Sequence, residues 1–472
     1  MSLLKLAAGL ALLTANAAVA PAQEGVRIAE RLRKVLEARD ESFLPPPLSE
    51  ADFPARDPEK EALGRLLFHD KILSGNMNIS CATCHHPLTD TGDGLSLPIG
   101  EGGIGLGMIR NTGVGADAVH ERVPRNAPPV FNLGALQVTR LFHDGRVEVD
   151  PTWPSGYFTP AFMMLPLGLD SVLAAQAMFP VTSDTEMAGQ LGENPIADAA
   201  TFGNLPLVWE MIAQRVRDIP EYVDLFIAAF DDVDEAADIS MVHIANAIAA
   251  YEAGAFRAIN TPFDRYLRGE RDAMSEAAIR GMDVFYNVAG CADCHSGPLL
   301  TDQEFHAIGM PQIGPGKDQN LPGFVDGRDD IGREAVTGDP NDRLKFRTPP
   351  LRNVALTGPW GHDGAYNTLE GVVRHHLNTD RAIQEYDVTQ AALPSRPDLD
   401  AIDFACHNDP QRRRIIMEAS ELRAGPGGRL RRLTDQQFSD LMEFLYALTD
   451  PASVDLRRAV PMRVPSGLPV FE

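Results

Sequence analysis

The sequence predicts a mainly α protein built from two tandem halves of similar design, with long Gly/Pro-rich loops between its helices. Three observations predict it. Apolar residues recur at helical spacing wherever they recur regularly, no sustained two-residue alternation appears, and the segment around one cysteine pair is repeated around another. Met241, Ile244, Ile248 and Tyr251 fall on one helical face. Near the C-terminus, Thr434-x-x-Gln437 makes a capping box ahead of Phe438, Leu441, Leu445 and Leu448. Gly64-Arg65-Leu66-Leu67-Phe68 leads into the first cysteine pair, and Gly281-Met282-Asp283-Val284-Phe285 into the second. After the pairs come His86-Pro87-Leu88-Thr89-Asp90 and Ser296-Gly297-Pro298-Leu299-Leu300-Thr301-Asp302. Each half therefore reads as a helix, a turn and a loop. Segments 87–129, 147–171, 309–345 and 379–430 read as loops, long enough to suggest functional or ligand-wrapping segments rather than plain connectors.

Four of the five cysteines lie in two pentapeptides, Cys81-Ala82-Thr83-Cys84-His85 and Cys291-Ala292-Asp293-Cys294-His295. Cys-x-x-Cys-His is the attachment pattern of a c-type haem, in which both thiols add to the vinyl groups and the histidine ligates iron. One copy would be open to other readings, half of a zinc site or a redox dithiol. Two copies, each ending in His, point to two covalently bound c-type haems. The halves thus resemble two cytochrome c-type haem domains, 56–260 and 261–452, preceded by an extension over 23–55 and followed by a tail over 453–472. Cys406 has no partner thiol at the required spacing and reads as a buried free cysteine.

The N-terminus fits the compartment in which such haems are attached. Lys5 precedes the apolar run from Leu6 to Leu13, and Ala18-Val19-Ala20-Pro21-Ala22 follows. That is the pattern of a secretory signal over 1–22, cleaved after Ala22, and it predicts a periplasmic protein. Charged residues interrupt every later apolar stretch, so no membrane span is expected. The net charge of −24 and isoelectric point near 4.9 argue against nucleic acid and anionic membrane as partners, and would favour a basic one.

Several further blocks are specific to a family. They are Leu73-Ser74-Gly75 through Cys81, Pro124-Arg125-Asn126-Ala127-Pro128, Phe142-His143-Asp144-Gly145-Arg146, Pro262-Phe263-Asp264-Arg265-Tyr266-Leu267, and Leu351-Arg352-Asn353-Val354-Ala355-Leu356-Thr357-Gly358-Pro359. With them the chain resembles the bacterial di-haem cytochrome c peroxidases and their relative MauG. The resemblance implies that the N-terminal haem meets peroxide while the C-terminal haem stores or relays an electron, with His85 and His295 as proximal ligands. It implies a calcium ion held by the Asn126 side chain and the carbonyls of Thr357 and Pro359, oxygen donors that suit a hard cation. It also implies a distal set, Gln176, Pro180 and Glu186, at the family's Gln-x3-Pro-x5-Glu spacing. There a carboxylate can move a proton from one peroxide oxygen to the other, Gln176 can hydrogen-bond the bound oxygen, and Pro180 would restrict access to iron.

Three positions depart from the peroxidase pattern. Glu101 stands where those enzymes carry a distal His, so the first haem is expected to be open, with His120 in the following loop as an alternative ligand. His376 occupies the position of the second haem's axial ligand, with His375 adjacent to it; bis-His ligation lowers the potential relative to His/Met. His143 replaces an inter-haem Trp, which puts hole transfer through that residue in doubt. An insertion between Arg146 and Gln176 carries Trp153, Tyr157, Phe158, Phe162, Met163 and Met164, and reads as a lid, a docking surface or a satellite core. The expected activity is reduction of hydrogen peroxide to water with electrons from a small periplasmic redox protein. Alternatives are a MauG-like oxidation of residues on a protein substrate, and a non-enzymatic electron carrier or redox sensor. A homodimer is left open.

Overall fold

The computed structural model of the chain describes residues 44–317, 319–321, 324–327, 329–423 and 432–471. The expected signal peptide and most of the expected N-terminal extension lie outside these residues. The fold is mainly α, about 45% helical with few strands, and its elements are laid out twice.

In the first half, helix α1 (Pro58–His69) starts at Asp57, whose side chain accepts from Lys60 N at 3.0 Å, with Pro58 in the first turn. It crosses helix α3 (Met241–Ala255), whose Met241, Ile244, Ile248 and Tyr251 are all buried as the periodicity predicts. The crossing is possible because position 64 is Gly: a Cβ there would stand 1.8 Å from Ala247 O and 2.9 Å from Tyr251 Cβ. In the second half, helix α4 (Glu276–Asp283) crosses helix α6 (Asp435–Tyr446) in the same way, and a Cβ on Gly281 would stand 1.8 Å from Asp440 O. Helix α6 opens on the expected capping box, Thr434 N donating to Gln437 Oε1 at 3.0 Å and Gln437 N to Thr434 Oγ1 at 3.2 Å. Phe68 and Phe285, each four residues past its glycine, are buried to 1% exposure beside Tyr251 and Phe444 respectively.

The repetition extends to a segment the sequence reading did not pair. Pro128-Pro129-Val130-Phe131-Asn132 and Pro349-Pro350-Leu351-Arg352-Asn353 each end in an Asn at positive φ, 61° and 62°. Asn132 donates its N–H to Phe256 O and accepts from Ala258 N; Asn353 donates to Leu448 O and accepts from Asp450 N. Each asparagine ties the chain after a haem motif to the end of that half's last helix. Two large apolar cores follow among the described residues, one drawn mostly from residues up to Phe256 and one starting at Phe263, with two small clusters beside them.

Three expected loops carry strands or α-helix; in 309–345 these are the antiparallel pair Gln319–Leu321 and Phe324–Gly327 and the short helix Glu334–Thr337. The 147–171 excursion contributes to a three-stranded antiparallel sheet of β1 (Arg140–Leu141), β2 (Val147–Val149) and β3 (Tyr157–Phe158), whose strands are too short to show alternation. The described part of 379–430 forms helices including Pro397–Asp403 and Pro410–Ala419. These helices are short and charged, so they lack an apolar stripe; Asp409 and Pro410 at the start of the second were the available signal. The C-terminal tail packs back on the first half, Ser466 Oγ donating to Asp70 Oδ1 at 2.6 Å. No helix among the described residues is long and apolar enough to cross a membrane.

Candidate active site

The first pentapeptide forms a short helix, Cys81–Cys84, whose start is held by Ser80 N donating to Thr83 Oγ1 at 3.0 Å. His85 N then closes on Cys81 O at 3.0 Å, placing the imidazole beside both thiols. All three residues line a cavity whose empty space, its open mouth included, is about 1290 Å³. Phe68, Leu73, Ile79, Val123, Leu133 and Ile248 give it apolar walls.

The distal residues expected from the sequence line this same cavity: Gln176, Pro180 and Glu186. Gln176 ends helix α2 (Val172–Ala177), which Ser171 caps by accepting from Ala174 N at 3.1 Å. Glu186 sits in a π-helical turn, Asp184–Ala188, a distortion frequent at functional sites. Burial raises the Glu186 carboxyl above the usual range, with Arg146 and Lys317 opposing.

Glu101 is buried and accepts from Asn76 Nδ2 at 2.8 Å and Asn78 Nδ2 at 2.7 Å, while its N–H donates to Thr185 O. Fully buried Arg110 holds the same segment by donating to Gly100 O at 2.7 Å and Gly105 O at 2.8 Å. Glu101 therefore braces the turn carrying Glu186. His120 is not among the residues lining the cavity; its side chain is 52% exposed and lies 3.7 Å from Glu193.

Around the second pentapeptide, His295 N closes on Cys291 O at 2.9 Å. Helix α5 (Leu369–Leu377) brings up both candidate histidines, and their surroundings separate them. His375 is wholly buried with both ring nitrogens engaged, Nδ1 at 2.9 Å from Tyr366 Oη and Nε2 at 2.9 Å from Ile308 O. In His376, Nδ1 lies 2.8 Å from Val372 O, and nothing among the described residues hydrogen-bonds Nε2. Burial first and then the charge of His376 lower His295 to about 4, so the two imidazoles lie within electrostatic reach of each other.

These residues fit haem on three counts. The five cysteines form no disulfide among the described residues, which leaves Cys81 and Cys84 to the cavity. His85, His295 and His376 each turn Nδ1 to a backbone carbonyl, of Thr91, Leu300 and Val372, and so keep a lone pair on Nε2, the arrangement of metal-ligating histidines. Arg347 brings a buried guanidinium to the cavity; burial lowers it to about 10, and its only hydrogen bond among the described residues is Nε to Phe142 O. A buried cation that no described carboxylate hydrogen-bonds, with Asp144 acting on it only at longer range, suits a propionate.

His143 also lines the cavity, Nε2 3.1 Å from Asn126 O, and burial lowers it to about 4. Beside it Arg125 donates to Asp144 and to Asp330, a buried cluster joining the two halves. Asn126 uses Nδ2 on Leu95 O and Ser96 O, which leaves Oδ1 for another partner, and its N–H donates to His362 O just past Thr357 and Pro359. Cys406 is buried as expected, its thiol 3.1 Å from Asp329 Oδ1.

Three features escaped the sequence reading. Glu252 on α3 lines the cavity, and burial pushes its carboxyl up to about 8. Its signal is an acid eleven and four residues past the lining residues Met241 and Ile248, on the same helical face. Arg347 is the second. The third, His362, is buried and stacked at 3.7 Å on Phe346, within electrostatic reach of His143. The tripeptide His-Asp-Gly occurs at both 143–145 and 362–364, a repeat that would have flagged it.

Comparison with known proteins places this geometry among its relatives. The sequence profile of the family described as di-haem cytochrome c peroxidase matches residues 58–272. The methylamine utilization protein MauG of Methylorubrum extorquens is 31% identical over 320 residues, covering 68% of this chain and 69% of that one. Cytochrome c551 peroxidase of Pseudomonas aeruginosa is 29% identical over 315 residues, covering 67% and 70%. Among solved structures, a MauG-like protein associated with microbial copper homeostasis aligns with a TM-score of 0.55 and 28% identity over 88% of this chain and 96% of its own. The di-haem peroxidase BthA of Burkholderia thailandensis shares the fold, with a TM-score of 0.54 at 22% identity over 88% and 90%.

Proposed function

Because the chain belongs to the di-haem cytochrome c peroxidase family, whose members are oxidoreductases with two c-type haems, we propose that it reduces hydrogen peroxide to water at the Cys81–His85 cavity, using electrons from a small redox protein. The observation that carries the reading is that one cavity is lined at once by the attachment residues Cys81, Cys84 and His85 and by Gln176 and Glu186.

Haem held there by Cys81, Cys84 and His85, with a second held at Cys291–His295, would supply redox-active iron, and the two electrons of the reduction come from the donor protein. The chain's own groups do the rest. His85 keeps a lone pair on Nε2 available for the iron because Nδ1 is held by Thr91 O. Gln176 orients the bound peroxide through its amide, and Pro180 narrows the approach. The Glu186 carboxylate takes a proton from one peroxide oxygen and returns it to the other, which leaves as water as the O–O bond breaks; two donor electrons and two protons from solvent convert the remaining oxygen to a second water. Burial brings its affinity for protons closer to neutrality, where both halves of that transfer are accessible. At the second site Cys291, Cys294 and His295 would hold the second haem, and His376, whose Nδ1 is tied to Val372 O, would offer Nε2 to its iron. A calcium ion between Asn126 Oδ1 and the carbonyls of Thr357 and Pro359 would fix the segment joining the two sites. Cleavage of 1–22 would leave the protein in the periplasm, where family members work.

A second reading is favoured by specific residues. Glu101, engaged by Asn76 and Asn78, offers no distal imidazole, and His376 suits a low-potential second haem. Both fit a MauG-like enzyme that directs oxidising equivalents to a protein substrate.

Stopped-flow mixing of the diferric holoprotein with peroxide, with and without a reduced cytochrome donor, tests these readings. Rapid spectral change followed by donor turnover is expected. Rapid change with poor donor turnover favours the MauG-like reading, and no reaction in either state overturns both.

A further inference from the structure

We infer that Tyr366 is a redox site beside the second haem: once peroxide has oxidised the protein and no donor is present, its phenol gives up one electron by way of His376 and one proton to His375. The inference rests on the peroxide chemistry and the His376 ligation proposed above. Tyr366 Oη lies 2.9 Å from His375 Nδ1. His375 Nε2 lies 2.9 Å from Ile308 O, and a carbonyl can only accept, so Nε2 carries the ring proton and Nδ1 the lone pair. The Tyr366 hydroxyl therefore donates to a nitrogen that can take its proton outright. Both side chains are buried, at 5% and 0% exposure, so bulk water does not compete for that proton.

Ring contacts tie the pair to the proposed iron ligand. The His375 and His376 rings stand edge to face with centroids 6.0 Å apart, and those of Tyr366 and His375 are 5.4 Å apart. An electron thus crosses two short ring-to-ring steps between the phenol and the second haem. The other tyrosines lack this combination. Tyr386 packs 5.6 Å from Tyr366, but its Oη donates to Ala365 O, which cannot take the proton. Tyr251 likewise donates to a carbonyl, that of Ala459. Tyr222 does meet a base, Asp70 at 2.6 Å, yet no ring contact among the described residues joins it to a candidate haem ligand. Among the described residues only Tyr366 has both the base and the path.

The step balances. A phenol that has lost an electron is a far stronger acid than an imidazolium, so the proton moves to Nδ1 even though burial weakens His375 as a base. The products are a neutral tyrosyl radical and an imidazolium that donates back to its oxygen. Peroxide is the oxidant: its reduction to two waters takes two electrons, one from Tyr366 and one from the haem pair, with two protons from solvent. An electron from a reduced donor later restores the phenol, and the proton returns from His375. Tyr366 thus holds one oxidising equivalent until a donor arrives.

The test is freeze-quench electron paramagnetic resonance of the holoprotein mixed with hydrogen peroxide and no donor. A tyrosyl signal is expected, narrowed in protein grown on ring-deuterated tyrosine. High-field spectra should show a hydrogen bond to the radical oxygen, the mark of a proton held on His375. Tyr366→Phe should abolish the signal, while an unchanged resting low-spin signal shows that the second haem site is intact. Tyr386→Phe and Tyr222→Phe should keep it, and they decide the matter if Tyr366→Phe does not take up haem. A signal that survives Tyr366→Phe, is lost in either other variant, or lacks the hydrogen bond overturns the inference. A haem spectral change with peroxide but no tyrosyl signal overturns it alone. No reaction with peroxide overturns it together with the reading on which it rests.

Discussion

The two halves share a helix crossing at a glycine, a Cys-x-x-Cys-His turn, and an asparagine clamp on the last helix, yet they differ in what stands opposite the histidine. In the first half a polar amide and a carboxyl, Gln176 and Glu186, line the space beside His85. In the second, His376 holds Nδ1 on Val372 O, leaves Nε2 without a hydrogen bond among the described residues, and lies within electrostatic reach of His295. A duplicated frame has thus been given two distal faces, one suited to a reactant and one suited to a ligand. The lesson is that a haem-binding frame fixes the metal's position, while a few side chains on unrelated segments decide what the metal can do.

The largest effect should come from the residue that most distinguishes the halves. Glu186→Gln should slow the reaction with peroxide by about 10²–10⁴-fold while leaving the second haem's spectrum intact. An unchanged stopped-flow rate would remove Glu186 from proton transfer. Since burial raises its pKa, the parent rate should rise with pH to a midpoint above that of an ordinary glutamate, and the variant should lose that limb.

Next is the seam joining the halves, where Arg125 meets Asp144 from the first and Asp330 from the second. Burial alone would raise Asp144, but Arg125 and Arg146 more than offset it and hold the carboxyl well below the usual range. Asp144→Asn leaves a buried cation with one partner and should cost about 3–5 kcal/mol in denaturant unfolding. A carboxyl with a depressed folded pKa stabilises above its unfolded value and loses that contribution as pH falls toward the folded one. The gap between parent and variant should therefore narrow below about pH 4; a gap that widens in acid contradicts the assignment.

Smaller and paired effects come from the crossings. Gly64→Ala and Gly281→Ala each drive a methyl into a backbone carbonyl and should cost about 1–3 kcal/mol. Calorimetry that shows each substitution lowering a different transition would establish separately melting halves, and one shared transition would show the seam coupling them. His120→Ala should change stability by less than about 0.5 kcal/mol and leave the first haem's spectrum unaltered, because the side chain is exposed and lies away from the cavity.

Much of this was legible in the chain. Cysteine spacing gave the attachment turns, and period and caps gave α3 and α6, because those signals are local. The resemblance brought Gln176, Pro180 and Glu186 together, which no local rule could do. What escaped was mostly long-range or hidden by charge. Glu252 reads as one more acid in a helix until the opposite wall of the cavity is known. Arg347 declares itself only through a partner it lacks. The helices within 379–430 lack an apolar stripe, so periodicity passed over them, although Asp409-Pro410 marked a start. The paired Pro-Pro-x-x-Asn and His-Asp-Gly segments were visible repeats that spacing around the cysteines overshadowed.

The most direct test of the unequal halves is electron paramagnetic resonance of the diferric holoprotein, compared with His376→Ala. The account predicts one high-spin and one low-spin haem in the parent, and loss of only the low-spin signal in the variant. Two low-spin haems in the parent, or a low-spin signal that survives His376→Ala, would contradict it.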